Sequence, residues 1–391
     1  MKRIYQFLIF VAMTTVLGCG KCKPRHTQSN DVPKTIDVGI NHTIETFMIL
    51  RALADNDPLF QYRDSSYKGK PIMYEARKAF ADYKNHSAVV KTQEMIAATS
   101  FTGDVILQGL LYFEELPSTK LKYEINSELW KNRQDSLKDY IAVLADFYTE
   151  ANVNAFISNH ADFYEGTITE AESYLEADLI PTMEDYFKME NEGYKMLLIP
   201  NSPFGMGFGA STSTKDGDLF FQIISPASET EWNSAGIYAN YGYTGEGAQD
   251  YYDELVVHEF CHSFITPFIT HEQWRTEIAK TDSLFTPKLK AIMEQEGYGS
   301  WWGYVNEHLV RLGELRVAKM LNAENYEAMR QGYIDKGFVL LPAAEECILN
   351  YENNPTKYAT FHAFIPELIL QLETFSCAEI NNKLDGLESH N

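Results

Sequence analysis

Apolar residues recur at spacings of three and four over the first half of this 391-residue chain, a period typical of helices. A short extended run at residues 35–40 comes first. The pattern then predicts helices at about residues 44–50, 79–99, 104–113, 136–151 and 167–189. Residues 35–191 are therefore expected to form a mainly helical part.

In the second half of the chain, short apolar runs alternate with glycine-rich turns. The runs at residues 196–199 and 219–224 predict strands of a small mixed β-sheet. The first of these strands is expected at an edge, where a peptide could add a further strand. One helix is expected at residues 251–264, ending before Pro267, and another at residues 301–320. The predicted fold class is α+β.

The charge of the chain narrows the range of partners. There are 33 Lys and Arg residues against 55 Asp and Glu residues, which gives a net charge of −22. Such a surface repels the phosphates of nucleic acids, so a nucleic-acid partner is not expected. Cysteines are few, and Cys347 and Cys377 could form a bridge in an oxidising compartment.

The start of the chain has a pattern of its own. Two basic residues, Lys2 and Arg3, precede an apolar run at residues 4–16 that is too short to span a membrane comfortably. The run is followed closely by Cys19. This pattern resembles a bacterial lipoprotein signal, in which the cysteine becomes the lipidated first residue of the mature protein. A plain secretion signal with a chance cysteine is the alternative.

The signal divides the chain into three segments. Residues 1–18 are expected to be removed, residues 19–34 to form a flexible tether, and residues 35–391 to form the folded domain. The protein is then expected in the bacterial cell envelope, anchored to a membrane by lipid at Cys19. In a cell with two membranes this would be the outer membrane or the periplasmic face.

The stretch H-E-F-C-H, residues 258–262, carries the strongest chemical signal in the sequence. On a helix, residues four apart lie on one face, so the imidazoles of His258 and His262 could converge on one metal ion. Glu259 lies beside them and could take a proton from a water molecule at that ion. The alternative is an ordinary helix with two histidines satisfied in the core.

A catalytic zinc site usually has three protein ligands, so the third must come from elsewhere in the chain. The extended motif H-E-x-x-H-x-x-G-x-x-H is excluded, because Ile265 and Phe268 occupy its glycine and third histidine positions. Glu307, Arg311 and Glu314 lie along one side of the helix expected at residues 301–320, which favours a carboxylate. A surface ladder of salt bridges is the alternative.

The chain resembles a family of bacterial envelope proteins catalogued as a domain of unknown function with a zincin-like, proposed peptidase site. The matching stretches are residues 40–53, 80–89, 144–148, 198–201, 258–264 and 306–311. The pair Asn306-Glu307 is similar to the asparagine-glutamate pair that supplies the third ligand in thermolysin-like zincins. The resemblance implies a gluzincin-type site, with His258, His262 and Glu307 as ligands of Zn²⁺ and Glu259 as the base.

Other residues are expected to support this site. Asn306 and Arg311 are expected to hold the ligands in place, with Glu314 as a structural acid paired with Arg311. Tyr304, one turn before the third ligand, is a candidate donor to the oxyanion of the reaction. Asn201, at the end of an expected strand, is a candidate substrate-binding residue.

The expected function is that of a zinc-dependent metallopeptidase acting on a peptide or protein, with residues 192–391 as its catalytic part. Zinc would polarise the scissile carbonyl, and Glu259 would act as general base on the attacking water. One alternative is a non-catalytic envelope lipoprotein that binds glycans or peptides. Another is an inactive relative of the zincins, which would still bind zinc.

The lipid anchor makes a direct prediction for Cys19. The lipid is the only anchor expected for this acidic chain, so Cys19→Ala should move the protein from the membrane to the soluble envelope fraction. Fractionation followed by immunoblotting measures the change. A variant that still sediments with membranes would contradict the lipoprotein interpretation.

Overall fold

The structure is a computed structural model that describes residues 23–24, 34–54, 57, 69–99, 103–203, 207–232, 238–243, 248–321 and 324–388. Within these ranges the α-helices are α1 (His42–Leu53), α2 (Pro71–Ala79), α3 (Ser87–Ala98), α4 (Asp104–Leu110), α5 (Glu128–Lys131), α6 (Gln134–Glu150), α7 (Val153–Asn159), α8 (Ala161–Glu172), α9 (Leu179–Phe187), α10 (Ala248–Ile269), α11 (Glu272–Ala279), α12 (Pro287–Gln295), α13 (Trp301–Met320), α14 (Tyr326–Asp335), α15 (Leu341–Glu352), α16 (Ile365–Gln371) and α17 (Cys377–Glu388). The strands are β1 (Lys23–Pro24), β2 (Ile36–Ile40), β3 (Met189–Glu190), β4 (Gly193–Leu198), β5 (Gly207–Ser213), β6 (Asp218–Ile224), β7 (Glu231–Trp232) and β8 (Tyr238–Asn240). The α+β class is confirmed.

The chain forms two compact units. The sheet unit consists of Ile36–Leu175 and Glu192–Leu255. The helical unit consists of Glu176–Asn191 and Val256–Asn391, with the described part of Met1–Thr35. The sequence pattern suggested a single division near residue 191, whereas the chain enters the helical unit more than once. Residues 176–191 belong there because α9 packs against α13, and β3 pairs with β1.

A four-stranded mixed sheet forms the centre of the sheet unit, in the order β2-β4-β6-β5. Strands β2, β4 and β6 are parallel, and β5 is antiparallel to β6. The expectation that the strand near residues 196–199 lies at an edge is wrong, because β4 lies between β2 and β6. Its neighbour β2 lies far away in sequence, and the pattern of apolar residues within a strand does not indicate which distant strand pairs with it.

Two of the expected helices are interrupted in the structure. The helix expected at residues 79–99 is split, because α2 ends at Ala79 and α3 begins at Ser87. The side chain of His86 caps α3 by accepting a hydrogen bond from the backbone N–H of Ala88 at 3.1 Å. The helix expected at residues 167–189 is likewise divided into α8 and α9.

The centre of the sheet also fixes the beginning of α10. The side chain of Gln222, fully buried on β6, donates a hydrogen bond to the backbone carbonyl of Leu255 at 3.1 Å. Gly207 on β5 allows close packing at the same place, since a Cβ atom there would lie 2.4 Å from Leu255 Cδ2. Within the sheet unit, Leu255 is therefore held by a buried hydrogen bond and a tight contact.

In the helical unit, α10 and α13 are central. The helix predicted at residues 301–320 is confirmed as α13, whereas the expected end of α10 before Pro267 is wrong. Pro267 lies in the last turn of α10, where it lacks the backbone N–H that would bond the carbonyl oxygen of Ser263, so the helix continues without that hydrogen bond. Ile265 and Ile269, on either side of it, are fully buried and favour continuation of the helix.

Residues 1–22, which contain the expected signal peptide and Cys19, lie outside the described residues. Within the described ranges, no helix combines the length and apolar character needed to cross a membrane. Cys347 and Cys377 are free thiols, so the bridge that the sequence allowed is not formed. The Cys377 thiol instead donates to the carbonyl oxygen of Ser283 at 3.2 Å.

A buried polar cluster lies just beyond the carboxyl ends of β2 and β4 in the sheet unit. Glu45 on α1 accepts hydrogen bonds from the side-chain amide of Asn201 and from the hydroxyl of Tyr164, and Glu45 and Asn201 are fully buried. Burial raises the pKa of Glu45 to about 7, although the hydrogen bonds from Asn201 and Tyr164 partly oppose it. The carboxyl group is therefore largely protonated in mildly acidic solution.

Glu45 should make the stability of the protein depend on pH. Its folded pKa of about 7 exceeds the ordinary value of 4.5, so this contribution is complete below pH 4.5 and is lost as the pH rises through 7. The loss is on the order of 3 kcal/mol. Glu45→Gln, which resembles the protonated acid, should flatten the dependence of the urea midpoint on pH, while Glu94→Gln at an exposed position should not. Parallel curves for Glu45→Gln and the wild type would contradict this role.

Candidate metal centre

Three side chains of the helical unit converge on one point. Among the described residues, His258 and His262 on α10 and Glu307 on α13 form a group whose ligand atoms all lie within 4.8 Å of one another. The two imidazole Nε2 atoms are 3.2 Å apart. Each also lies 3.4 Å from an oxygen of Glu307: His258 from Oε2, and His262 from Oε1. The two histidines of the H-E-x-x-H sequence and the glutamate of α13 thus lie in one cluster.

These distances fit a tetrahedral metal site. With bonds of about 2.0–2.2 Å to nitrogen and oxygen, two ligands of a tetrahedral zinc ion lie roughly 3.3–3.6 Å apart. The two Nε2 atoms are 3.2 Å apart, and each lies 3.4 Å from a different oxygen of Glu307, distances close to that range. Glu307 Oε1 is also buried with no hydrogen-bond partner among the described residues, a costly situation that a cation would relieve. Two imidazoles and a carboxylate are donors that zinc accepts.

The position of Glu307 depends on a close approach of α13 to its neighbours. A Cβ atom at Gly313 would lie 3.1 Å from Ile265 Cδ1 on α10 and 3.1 Å from Phe187 Cζ on α9. A side chain at that position would therefore require the ends of the Ile265 and Phe187 side chains to move by a few tenths of an ångström. The glycine allows α13 to approach the histidine helix closely.

Glu314 fixes the ring of His258. One carboxylate oxygen, Oε2, lies 3.2 Å from His258 Nδ1, and the other, Oε1, accepts a hydrogen bond from the hydroxyl of Tyr333 at 2.6 Å. An ionised carboxylate can only accept, so His258 donates from Nδ1, and the neutral form of the ring keeps a lone pair on Nε2. A histidine ligand supported by a carboxylate in this way is both oriented and made more basic.

Thr266 occupies the corresponding place beside His262. Its Oγ1 lies 2.9 Å from His262 Nδ1 and donates a hydrogen bond to Asn306 Oδ1 at 2.8 Å. Asn306 directly precedes Glu307 on α13, so this contact joins the two helices that carry the ligands. Asn306, for which a supporting role is expected, thus contacts His262 through a threonine that the sequence interpretation did not single out.

Glu307 is held by Tyr298 and Arg311. The hydroxyl of Tyr298 donates to Glu307 Oε2 at 3.0 Å, and Arg311 Nη2 lies 3.5 Å from the same hydroxyl. Arg311 also lies 3.7 Å from Glu314, which forms the pair expected from the sequence. Its guanidinium packs over the rings of Tyr333 and Phe338 at 4.4 and 5.2 Å. The buried guanidinium of Arg311 thus lies beside Glu314 and is connected to Glu307 through the hydroxyl of Tyr298.

The electrostatic field at the cluster favours positive charge. Burial raises the pKa of Glu307, but the two histidines and Arg311 outweigh burial and lower it to about 2. Burial and Arg311 lower the pKa of His258, yet its hydrogen bonds with Glu307 and Glu314 raise it overall to about 9. Burial lowers the pKa of His262 to about 4. The carboxylates of Glu307 and Glu314 would therefore stabilise either a proton on His258 or a metal ion at the cluster.

Exposure differs among the three ligand side chains. His258 and Glu307 have 4% and 0% of their side-chain surface exposed, whereas His262 has 16%. Solvent therefore reaches the cluster at His262. Glu259 follows His258 on α10 and is buried.

Two expected site residues have contacts of another kind. The hydroxyl of Tyr304 donates to the carbonyl oxygen of Gly337 at 3.4 Å, and its ring stacks on Trp301. Asn201 belongs to the sheet unit, where its amide donates to Glu45.

Sequence reasoning missed four contacts around the cluster: those of Thr266, Tyr298, Glu314 and Tyr333 with the ligands or their partners. Thr266 stands four residues after His262, a spacing that places it one turn away on the same face and could have identified it. Glu314 was placed on the correct side of its helix but was assigned only to Arg311. Tyr298 and Tyr333 lie outside both ligand helices, and no local pattern indicates where they pack.

The fold and this cluster define an α+β protein with a buried group of two histidines and one carboxylate that could hold a metal ion. Residues 38–371 match the family described as Domain of unknown function (DUF4932), and the chain belongs to that family. Neither a curated protein nor a solved structure matches the chain.

The geometry predicts an order of effects for the two glutamates of α13. Glu307→Ala removes a ligand and should cause the larger loss of zinc affinity. Glu314→Ala removes the partner of His258 and should lower the affinity about tenfold to a hundredfold. Zinc dissociation constants from competition with a chromophoric chelator measure both, with Glu327→Ala at an exposed position of α14 as the control. The reverse order would move the third ligand to Glu314.

Proposed function

We propose that this protein is a zinc-dependent metallopeptidase of the zincin type. The observation that carries the proposal is the convergence of His258 Nε2, His262 Nε2 and the Glu307 carboxylate at separations of 3.2 to 3.4 Å. Those separations are close to the distances between two ligands of a tetrahedral zinc ion. The glutamate inside the H-E-x-x-H sequence adds the acid–base group that peptide hydrolysis needs.

In this proposal His258 and His262 bind zinc through Nε2, and Glu307 binds it through a carboxylate oxygen. When bound, zinc would polarise the scissile carbonyl and lower the pKa of a water molecule to about 7. Tyr298, Glu314 and the pair of Thr266 and Asn306 hold these ligands in place through the hydrogen bonds described above. A third protein ligand on a second helix leaves one position for water or substrate.

Glu259 would move the protons of the reaction. It follows His258 by one residue, which places it about 100° around the helix, beside the ligands and not among them. Its carboxylate accepts a proton from the water whose oxygen adds to the carbonyl carbon. The same proton then passes to the amine nitrogen as the C–N bond breaks. Because Glu259 is buried, little solvent competes for this proton.

A structural zinc site is a competing explanation, since the cluster is almost closed to solvent. Structural zinc sites nearly always have four protein ligands, whereas catalytic sites have three. Among the described residues, the group of potential ligands has three members. The ligand count therefore favours a catalytic zinc ion over a structural one.

We also propose that the enzyme acts on peptides or proteins in the bacterial envelope, where the lipid at Cys19 would hold it at a membrane. The support is the signal pattern that precedes Cys19. The net charge of −22 argues against a basic patch as the anchor.

The proposal is tested with a broad peptide library and the purified protein, assayed with and without a chelator. Cleavage that disappears on metal removal and returns when zinc is added supports the proposal. A protein that binds one equivalent of zinc but cleaves none of the peptides would favour the inactive relative. A protein that purifies without zinc and does not take it up would favour a binding lipoprotein.

Glu259→Gln should separate metal binding from proton transfer. The amide cannot take the proton, so activity should fall by about 10²–10⁴-fold or more. Bound zinc, measured by mass spectrometry of the metal, should stay at the wild-type level because Glu259 is not a ligand. Glu272→Gln, at an exposed position of the next helix, is the control. A Glu259→Gln variant with wild-type activity would remove the mechanism, and one without zinc would make Glu259 a ligand.

A further inference from the structure

We propose that Thr266 and Asn306 form a directed hydrogen-bond relay that sets the tautomer of His262 and thereby makes its Nε2 the metal-binding atom. The relay concerns the same site as the proposed function and rests on it for its catalytic meaning. What the relay determines is the position of one proton on the imidazole ring of His262, and that position does not depend on any reaction.

The relay runs from α10 to α13 through buried atoms. Thr266 stands one turn after His262, with its Oγ1 2.9 Å from His262 Nδ1 and 2.8 Å from Asn306 Oδ1. Thr266 and Asn306 are both buried. Little water is therefore present to compete for these hydrogen bonds, and each one contributes more to the orientation than it would at the surface.

Counting protons fixes the direction of the relay. The hydroxyl of Thr266 has one proton, which it donates to Asn306 Oδ1, an atom that can only accept. Toward His262 the hydroxyl therefore offers only lone pairs, so Nδ1 must carry the proton of this contact. A neutral imidazole has one N–H group, which leaves a lone pair on Nε2. That atom is the one directed at His258 Nε2 and Glu307.

Asn306 is needed because a threonine hydroxyl can act in either direction. Beside His258 the carboxylate of Glu314 can only accept, and it sets the tautomer alone. Without Asn306, the hydroxyl of Thr266 could turn and donate to His262 Nδ1. The ring proton would then lie on Nε2, where it blocks metal binding. We therefore assign Thr266 and Asn306 as positioning residues and not as catalytic ones.

The relay also links the positions of two ligands. Thr266 shares α10 with His262, and Asn306 is the neighbour of Glu307 on α13. A single hydrogen bond of 2.8 Å between them therefore restrains the separation of the helices at the level of the metal site.

The test uses the full chain with histidine labelled in the ring nitrogens with ¹⁵N. In the wild type, His262 should show an Nδ1–H proton that exchanges slowly with solvent. Thr266→Val, which removes the hydroxyl with little change of volume, should abolish the protected signal. It should also lower zinc affinity by about tenfold to a hundredfold. Thr266→Ser restores the hydroxyl and should recover both properties.

A matched control lies one turn away. Thr270 is as buried as Thr266, and its hydroxyl donates to the carbonyl of Pro267 at 2.8 Å. Thr270→Val should change neither the His262 signal nor zinc affinity. An equal loss in Thr270→Val would show that any buried threonine in this region affects folding, and it would overturn the relay.

Asn306 tests the direction of the relay. Asn306→Asp keeps an acceptor at the same place and should keep the Nδ1–H signal. Asn306→Leu removes the acceptor, so the Nε2–H form of His262 should appear and zinc affinity should fall. If Asn306→Leu keeps the wild-type tautomer, the directional role is wrong.

The relay and the proposed function can fail separately, because the tautomer is read in the metal-free protein. A wild type that binds no zinc would defeat the proposed function, while a protected Nδ1–H proton lost in Thr266→Val would still support the relay. A wild type with the proton of His262 on Nε2 would overturn the relay even if Thr266→Val does not fold. Unchanged zinc affinity in Thr266→Val, in a wild type that binds zinc, would overturn it as well.

Discussion

Two buried carboxylates determine how the helical unit is built. Glu307 and Glu314 are both fully buried, and an unpaired charge in such a place costs on the order of several kcal/mol. Tyr333 and His258 account for the two oxygens of Glu314, and Tyr298 accounts for one oxygen of Glu307. Glu307 Oε1 has no hydrogen-bond partner among the described residues. Hydrogen-bond partners within the protein thus satisfy three of the four carboxylate oxygens.

This compensation depends on helices that approach closely. The imidazole and carboxylate atoms lie 3.4 Å apart, and a displacement of a few tenths of an ångström would change what they can bind. Gly313 provides the approach of α13 to Ile265 and Phe187. Continuation of α10 through Pro267 keeps Thr266 in helical register with His262. The close packing at Gly313 and the continuation of α10 through Pro267 therefore help to set the distances between the imidazoles and the carboxylate.

The sequence predicts those features of the cluster that depend on the spacing of residues within one helix. Residues four apart on a helix share a face, which gave His258 and His262, and a similar argument placed Glu307 and Glu314 on one side of the second helix. Contacts between elements distant in the chain could not be predicted in this way. They include the pairing of β2 with β4 and the packing of Tyr333 against Glu314. The break between α2 and α3 depends on a side-chain cap that competes with helical continuation.

The hydrogen bonds around the cluster have a common consequence. With Glu314 accepting from His258 Nδ1, and with the relay accepting from His262 Nδ1, both Nε2 atoms present lone pairs to each other and to Glu307 once His258 is neutral. Acceptor atoms about 3.3 Å apart repel one another strongly where the dielectric constant is low. A proton can bridge one such pair, whereas a divalent cation satisfies all three atoms at once. The residues that hold these three side chains in place would therefore also favour a metal ion among them, and the exposed side of His262 is where solvent reaches the cluster.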